Sequence, residues 1–119
     1  MRTRILFFFV LVALFSSCSS SNKTVTYAEN RALNDALKKL NKRPDDPTLK
    51  RDVIDLYNQA VNQHEQRISA YRTSVDMNRY DGIIAEYNTL QKINESMRIS
   101  SVFRDVQTKN YVAEIQDVK

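Results

Sequence analysis

Apolar residues recur at three- and four-residue steps through most of the chain after residue 26, the period of an amphipathic helix. Ala28, Ala32, Leu33, Ala36, Leu37 and Leu40 predict a first helix. Its start falls at Thr26, where Glu29 three residues later completes a capping-box pattern. Pro44 ends it and leaves a loop at Lys42–Asp46. Asp46 is a good N-cap and Pro47 suits the first helical position, so a second helix opens there. Leu49, Val53, Leu56, Tyr57, Ala60, Val61, His64, Ile68 and Tyr71 form its stripe, which predicts a helix to about Ser74. A break at Asp76-Met77-Asn78 precedes a third helix, with Tyr80, Ile83, Ile84, Tyr87, Leu90, Ile93 and Met97 on its apolar face. Val102, Phe103 and Val106 predict one brief turn, Gln107–Asn110 a loop with Asn110 as a cap, and Tyr111, Ile115 and Val118 a short last helix. One glycine, Gly82, and two prolines, Pro44 and Pro47, are too few turn signals for a sheet. The expected fold class is all-α, built of antiparallel helical hairpins.

The first eighteen residues follow another logic. Arg2 and Arg4 precede eleven uninterrupted apolar residues, Ile5 to Phe15, and then come Ser16, Ser17 and Cys18. Charge, apolar run and small residues are the order of a secretory signal. The run is shorter than the roughly 20 residues a membrane span needs. Phe15-Ser16-Ser17-Cys18 resembles the bacterial lipobox, with Phe15 where leucine is commonest. That resemblance implies lipid on the Cys18 thiol, cleavage before Cys18 and acylation of the new amino group. Two or three acyl chains hold firmly where one binds marginally. The expected division is a signal peptide over 1–17, a lipidated tether over 18–25 and a helical-hairpin domain over 26–119, with continuation into a longer parent chain as the alternative. An ordinary signal peptide or a retained anchor are the competing readings of the N-terminus.

Export reshapes the composition. All fourteen acidic residues but only sixteen of the eighteen basic ones follow residue 17, so the precursor's +4 becomes +2. Four of the five phenylalanines lie in the signal, at 7, 8, 9 and 15, and no cysteine follows Cys18. A nearly neutral exported chain without basic clusters among aromatics gives no argument for nucleic acid. Residues 19–25 are small and polar, as a tether requires. Ser19 after the cysteine resembles the outer-membrane sorting pattern of enteric bacteria. No acidic run follows Cys18, unlike many surface-exposed Bacteroidota lipoproteins. Together these favour an outer-membrane anchor facing the periplasm.

Shifting the chain by 53 residues aligns Tyr27 with Tyr80, Ala32 with Ala85, Leu37 with Leu90, Leu40 with Ile93 and Asn41 with Asn94. The register continues as Leu49, Arg51, Asp52 and Val53 meet Val102, Arg104, Asp105 and Val106, then slips by one to set Tyr57 against Tyr111. Such alternation resembles a tetratricopeptide-like array. Arg79 to Tyr87 is similar to its second helix, and Pro44-Asp45-Asp46-Pro47 to its inter-repeat turn. The usual Trp and Gly–Ala pair are missing, and 53 exceeds the ~34-residue period of that family. The chain as a whole resembles the N-terminal part of Bacteroidota lipoproteins of uncharacterised function.

Little in the pattern points to chemistry. His64, the single histidine, falls on the apolar stripe of the second helix, where a helix-interface role outweighs a metal site. Asp45, Asp46, Asp52 and Asp55 are the densest carboxylates, and capping and solvation explain them better than acid–base work. No Gly-rich phosphate loop or nucleophile elbow is present. Tyr57, Tyr71, Tyr80 and Tyr87 are candidates for an interaction surface, against a packing role with the hydroxyl reaching water. The expected function is a non-catalytic envelope lipoprotein that scaffolds or binds another envelope protein. No cofactor beyond the lipid, no nucleic acid and no small-molecule substrate is expected. Self-association, or an N-terminal fragment with its activity elsewhere, are the alternatives.

Overall fold

The computed structural model describes residues 27–119; the signal, Cys18, the tether and Thr26 lie outside the described residues. Four α-helices follow one another, α1 (Ala28–Lys42), α2 (Pro47–Thr73), α3 (Arg79–Arg98) and α4 (Val112–Val118), with a 3-10 turn at Phe103–Asp105. No strand occurs among the described residues, so the chain there is all-α, with helices packed on one another.

Asp46 fixes where α2 begins. Its carboxylate oxygen accepts from the Thr48 and Leu49 amides at 3.0 and 3.2 Å. Pro47 occupies a position whose N–H would have no helical partner. Asp46→Ala should cost about 1 kcal/mol in urea denaturation, the usual worth of such a cap. Unchanged stability would show that the cap carries no weight here. The start of α1 differs from the capping-box expectation. Tyr27 is the N-cap residue without a side-chain cap bond, and the Glu29 carboxylate turns to Arg67, 2.6 Å away.

Helices α1 and α2 pack together, as do α2 and α3, and α4 lies on α3. Short loops and cross-helix contacts make α1–α2 and α2–α3 antiparallel hairpins. Two apolar clusters result. The first joins Leu33, Leu37 and Leu40 of α1, Val53, Tyr57 and Ala60 of α2, and Ile93, Met97 and Val102. The second joins Ile68 of α2, Ile83, Tyr87 and Leu90 of α3, and Tyr111. Helix α2 spans both clusters because it is 27 residues long, about 40 Å.

Two pattern-based placements change. Ala28 and Ala32 are exposed, and the buried face of α1 is Asn30, Leu33, Ala36, Leu37 and Leu40. Alanines offer little area, so the leucines set the rotation of the helix, and Asn30 comes in with them. Tyr80 is 51% exposed, outside the α3 core face. Gly82, counted in the sequence among the few turn signals, lies within α3 and has a packing role. A Cβ there would lie 2.6 Å from the Tyr71 ring, so the missing side chain lets α2 seat that ring on α3.

The end of the chain follows the pattern. The N-cap position of α4 is Tyr111 and not Asn110, but the Asn110 side-chain oxygen one residue earlier accepts from the Val112 amide at 3.1 Å. Ile115 and Val118 pack, half-buried, on the second cluster. The 53-residue repeat is only partly spatial. Leu37 and Leu90, Leu40 and Ile93, and Tyr57 and Tyr111 are buried in both copies. Asn41 is exposed where Asn94 is buried, and the counterpart of the opening of α2 is only a 3-10 turn.

Candidate functional site

The most deeply buried convergence of polar side chains among the described residues is the junction of α1, α2 and α3. His64 and Glu86 are both fully buried there. The Glu86 carboxylate receives His64 Nδ1, so Nδ1 carries a proton and donates to Oε2. The other ring nitrogen meets the Asn30 side-chain oxygen at 2.9 Å. Glu86 Oε1 accepts from the Tyr27 hydroxyl at 3.0 Å and from Arg67 Nε at 3.2 Å. Arg67 reaches on to Glu29 and lays its guanidinium 3.6 Å from the centre of the Tyr27 ring. Its Nη2 also lies 3.2 Å from His64 Nδ1, but both atoms carry protons, so this is proximity without a bond.

Sequence geometry explains the convergence. Asn30 and Leu33 share a face of α1, His64 and Ile68 share one of α2, and Glu86 and Leu90 share one of α3, each pair three or four residues apart. Whatever rotation buries the leucines and isoleucines also buries the polar members. Three helices then deliver them to one level, where they can satisfy one another.

Burial opposes the charge on Glu86, yet the hydrogen bond and charge of His64, the Tyr27 hydroxyl and the Arg67 charge outweigh it. Its pKa is therefore lowered from the ordinary 4.5. The folded chain binds this proton more weakly than the unfolded one, so the contribution is complete above about 4.5 and is lost as pH falls through the lowered value. At the other extreme, burial pushes up the hydroxyls of Tyr27, Tyr57 and Tyr111, followed by the carboxylates of Glu86 for Tyr27 and Glu65 for the other two. Raised values leave stability intact below the ordinary 10.0 and remove it as pH rises beyond. Thermal unfolding across pH should therefore give a plateau with an acid arm beginning near 4.5 and an alkaline arm beginning near 10. A flat profile from pH 3 to 5, a window set about the ordinary carboxylate range, would contradict the Glu86 assignment.

A second polar relay lies nearer α4. The Tyr57 hydroxyl donates to Asn94 Oδ1 at 2.8 Å, and Asn94 Nδ2 donates to the Lys109 carbonyl at 2.6 Å. Tyr111 and Lys109 both donate to Glu65 Oε1, at 3.1 and 3.0 Å. A cleft of about 310 Å³ opens beside this relay, lined by Glu65, Ile68, Arg72, Tyr87, Lys109, Tyr111 and Glu114 among others. Glu114 Oε2 is buried without a hydrogen-bond partner there.

No protein-family model, curated protein or solved structure matches the chain at a significant level.

The four candidate tyrosines do not share a surface. Tyr57 and Tyr87 are 3% and 5% exposed. Tyr87 accepts from Arg72 at 2.8 Å and stacks at 5.6 Å on Tyr111. Both rings belong to the core, because they lie on the inward faces of α2 and α3. Tyr71 is half-buried on Gly82, and only Tyr80 is exposed, held by Arg79. His64 does lie at a helix interface, and its carboxylate partner there is Glu86. Glu86 escaped notice because it stands between the apolar Ala85 and Tyr87 as an ordinary charged residue. The available signal was its spacing, three after Ile83 and four before Leu90. Among the described residues no group of three or more His, Cys, Asp or Glu is arranged to hold a metal ion. Asp46 caps α2, while Asp45, Asp52 and Asp55 are exposed. Cys18 lies outside the described residues.

Proposed function

We propose that this chain is a bacterial lipoprotein, anchored through lipid on Cys18, whose helical hairpins serve as a non-catalytic interaction or scaffold module in the envelope. The observation that carries the anchor is Phe15-Ser16-Ser17-Cys18 at the end of a charged and then apolar leader. No helix among the described residues is long and apolar enough to cross a membrane, which fits a helical domain held beside one. The scaffold reading is supported by the enclosure of His64 and Glu86. Both have zero exposure, and their polar atoms are engaged with each other and with Asn30, Tyr27 and Arg67. These are the groups best suited to proton transfer, and the fold spends them on joining its helices. We place the domain in a repeat-like, tetratricopeptide-like class on the strength of its antiparallel hairpins and the matched buried positions 37/90 and 40/93. Cys18→Ala, followed by radiolabelled palmitate incorporation and membrane fractionation, tests the anchor. Loss of label and release from membranes is the expected result, and a labelled variant would refute it. Crosslinking from intact membranes, with light scattering on the purified protein, separates a heterologous partner from self-association.

A further inference from the structure

We infer that the tip of the α2–α3 hairpin, residues 74–78, docks into the phospholipid interface of the membrane to which the chain is anchored. The proposal rests on the N-terminal anchoring argued above and adds a second contact and an orientation.

The first observation is exposure. Val75 and Met77 are 95% and 94% exposed, with one residue between them. Scattered single exposed apolar side chains need no explanation, and Ile99, 81% exposed at the other end of α3, is one of these. Two at near-total exposure on one tight loop are different. The loop is also held in shape. Asp76 Oδ1 accepts from the Asn78 amide at 2.9 Å, Ser74 Oγ accepts from the Asp76 amide at 3.1 Å, and Arg79 donates to the Ser74 carbonyl at 2.9 Å. A fixed loop presents Val75 and Met77 outward at little entropic cost. Just behind it stands Tyr80, half-exposed, with the Arg79 guanidinium 4.8 Å from its ring centre. An amphipathic aromatic with an arginine suits the headgroup level of a bilayer.

The second observation is where the chain enters. Tyr27, the first described residue, lies against His64 and Arg67, with ring centroids 5.7 Å from the former. From residue 67 to the end of α2 at Thr73 is about 9 Å along the helix axis. The α1–α2 loop is at the far end, about 22 Å away along the 15 residues of α1. Because α1 runs antiparallel to α2, its N-terminus points toward the 74–78 tip. Eight residues, 19–26, connect Cys18 to Tyr27, and extended they reach up to about 28 Å. Tyr27, where the described chain begins, and the apolar tip are therefore at the same end of the domain, and eight extended residues are long enough to cover the distance between them. Attachment at Cys18 raises the local concentration of lipid at the tip, so a weak insertion suffices.

Charge does not drive the contact. Arg72 and Arg79 near the tip are balanced by Asp76 and Asp81. Insertion should therefore persist in purely zwitterionic vesicles and at high salt, which sets it apart from a basic patch reading anionic lipid.

The test uses the full chain, purified from membranes and reconstituted into phosphatidylcholine vesicles. Met77→Cys and, separately, Asp45→Cys in the far loop carry an environment-sensitive fluorophore. With Cys18 acylated, each chain takes one label; two labels, or recovery in the soluble fraction, would mark failure of the anchoring reading instead. The expected result is a blue-shifted position-77 probe at least about threefold less quenched by iodide than the position-45 probe, with the difference abolished in detergent-free soluble protein released by tether proteolysis. Val75→Asp should restore quenching at 77. Equal quenching at both positions in vesicles overturns the proposal. So does shielding at 77 that persists after release, which would mean that protein and not lipid covers the tip.

Discussion

Glu86→Ala is expected to remove about 3–5 kcal/mol of stability, the usual cost of stripping one partner from a buried charged pair. The substitution leaves His64 Nδ1 fully buried without its acceptor and takes the Tyr27 hydroxyl's partner as well. Arg67 suffers less, since it keeps Glu29 and is itself 27% exposed at the side chain. For the 93 described residues a stability of roughly 5–14 kcal/mol is typical, so the loss is a large fraction of the whole. The melting temperature should fall by more than about 10 °C. Glu86→Gln keeps one acceptor oxygen, enough for His64 or for Tyr27 but not for both, and should cost less than Glu86→Ala. The decisive experiment is a double-mutant cycle with His64→Leu, read by urea denaturation. Two contacting members of one network should couple by about 0.5–3 kcal/mol. A Glu86→Ala loss below about 1 kcal/mol, or additive single losses, would show that the pair does not hold the junction together.

Leu40→Ala should cost about 2–5 kcal/mol. Leu40 has no exposed surface and sits in the first cluster, which also takes in Val53 and Tyr57 of α2 and Ile93 and Met97 of α3. Three helices and the Val102 turn converge on that cluster, so the surroundings have little freedom to collapse into the space a truncated side chain leaves. The control is Ala32→Ser on the same helix. The apolar pattern includes Ala32, but the side chain is exposed, so the change should stay within about 0.5 kcal/mol. A costly Ala32→Ser with a harmless Leu40→Ala would mean that α1 is rotated from the orientation described.

The helices themselves were legible. Pro44, Asp46-Pro47 and the Asp76–Asn78 break punctuate the chain, and the leucine, isoleucine and valine spacing marks which residues turn inward. Local chemistry settles such boundaries: a proline cannot continue a helix, and an aspartate just ahead of one satisfies amides that nothing else reaches. The tyrosines were less legible. Tyr57 and Tyr80 look alike in sequence, each on an apolar face, yet one is buried and bonded to Asn94 while the other is half in solvent. The difference is position along the hairpin. Tyr57 lies at mid-helix, where α1 and α3 both cover α2, and Tyr80 lies at the first turn of α3, beyond the reach of α1.

The sequence by itself determined that the described chain is all-helical and where its breaks fall, and it carries the lipobox resemblance at Cys18 on which the proposed anchor rests. It also marked His64 as an interface residue. Only the tertiary structure decided that His64 answers to Glu86, 22 residues away, that Asn30 and Tyr27 join them, and that Val75 and Met77 stand uncovered. Periodicity reports which side of a helix faces inward, because that depends on neighbours three and four residues apart. It carries no information on which level of one helix meets which level of the next. Polar partners and bare tips are set by that second relation, and so they appear only once the helices are packed.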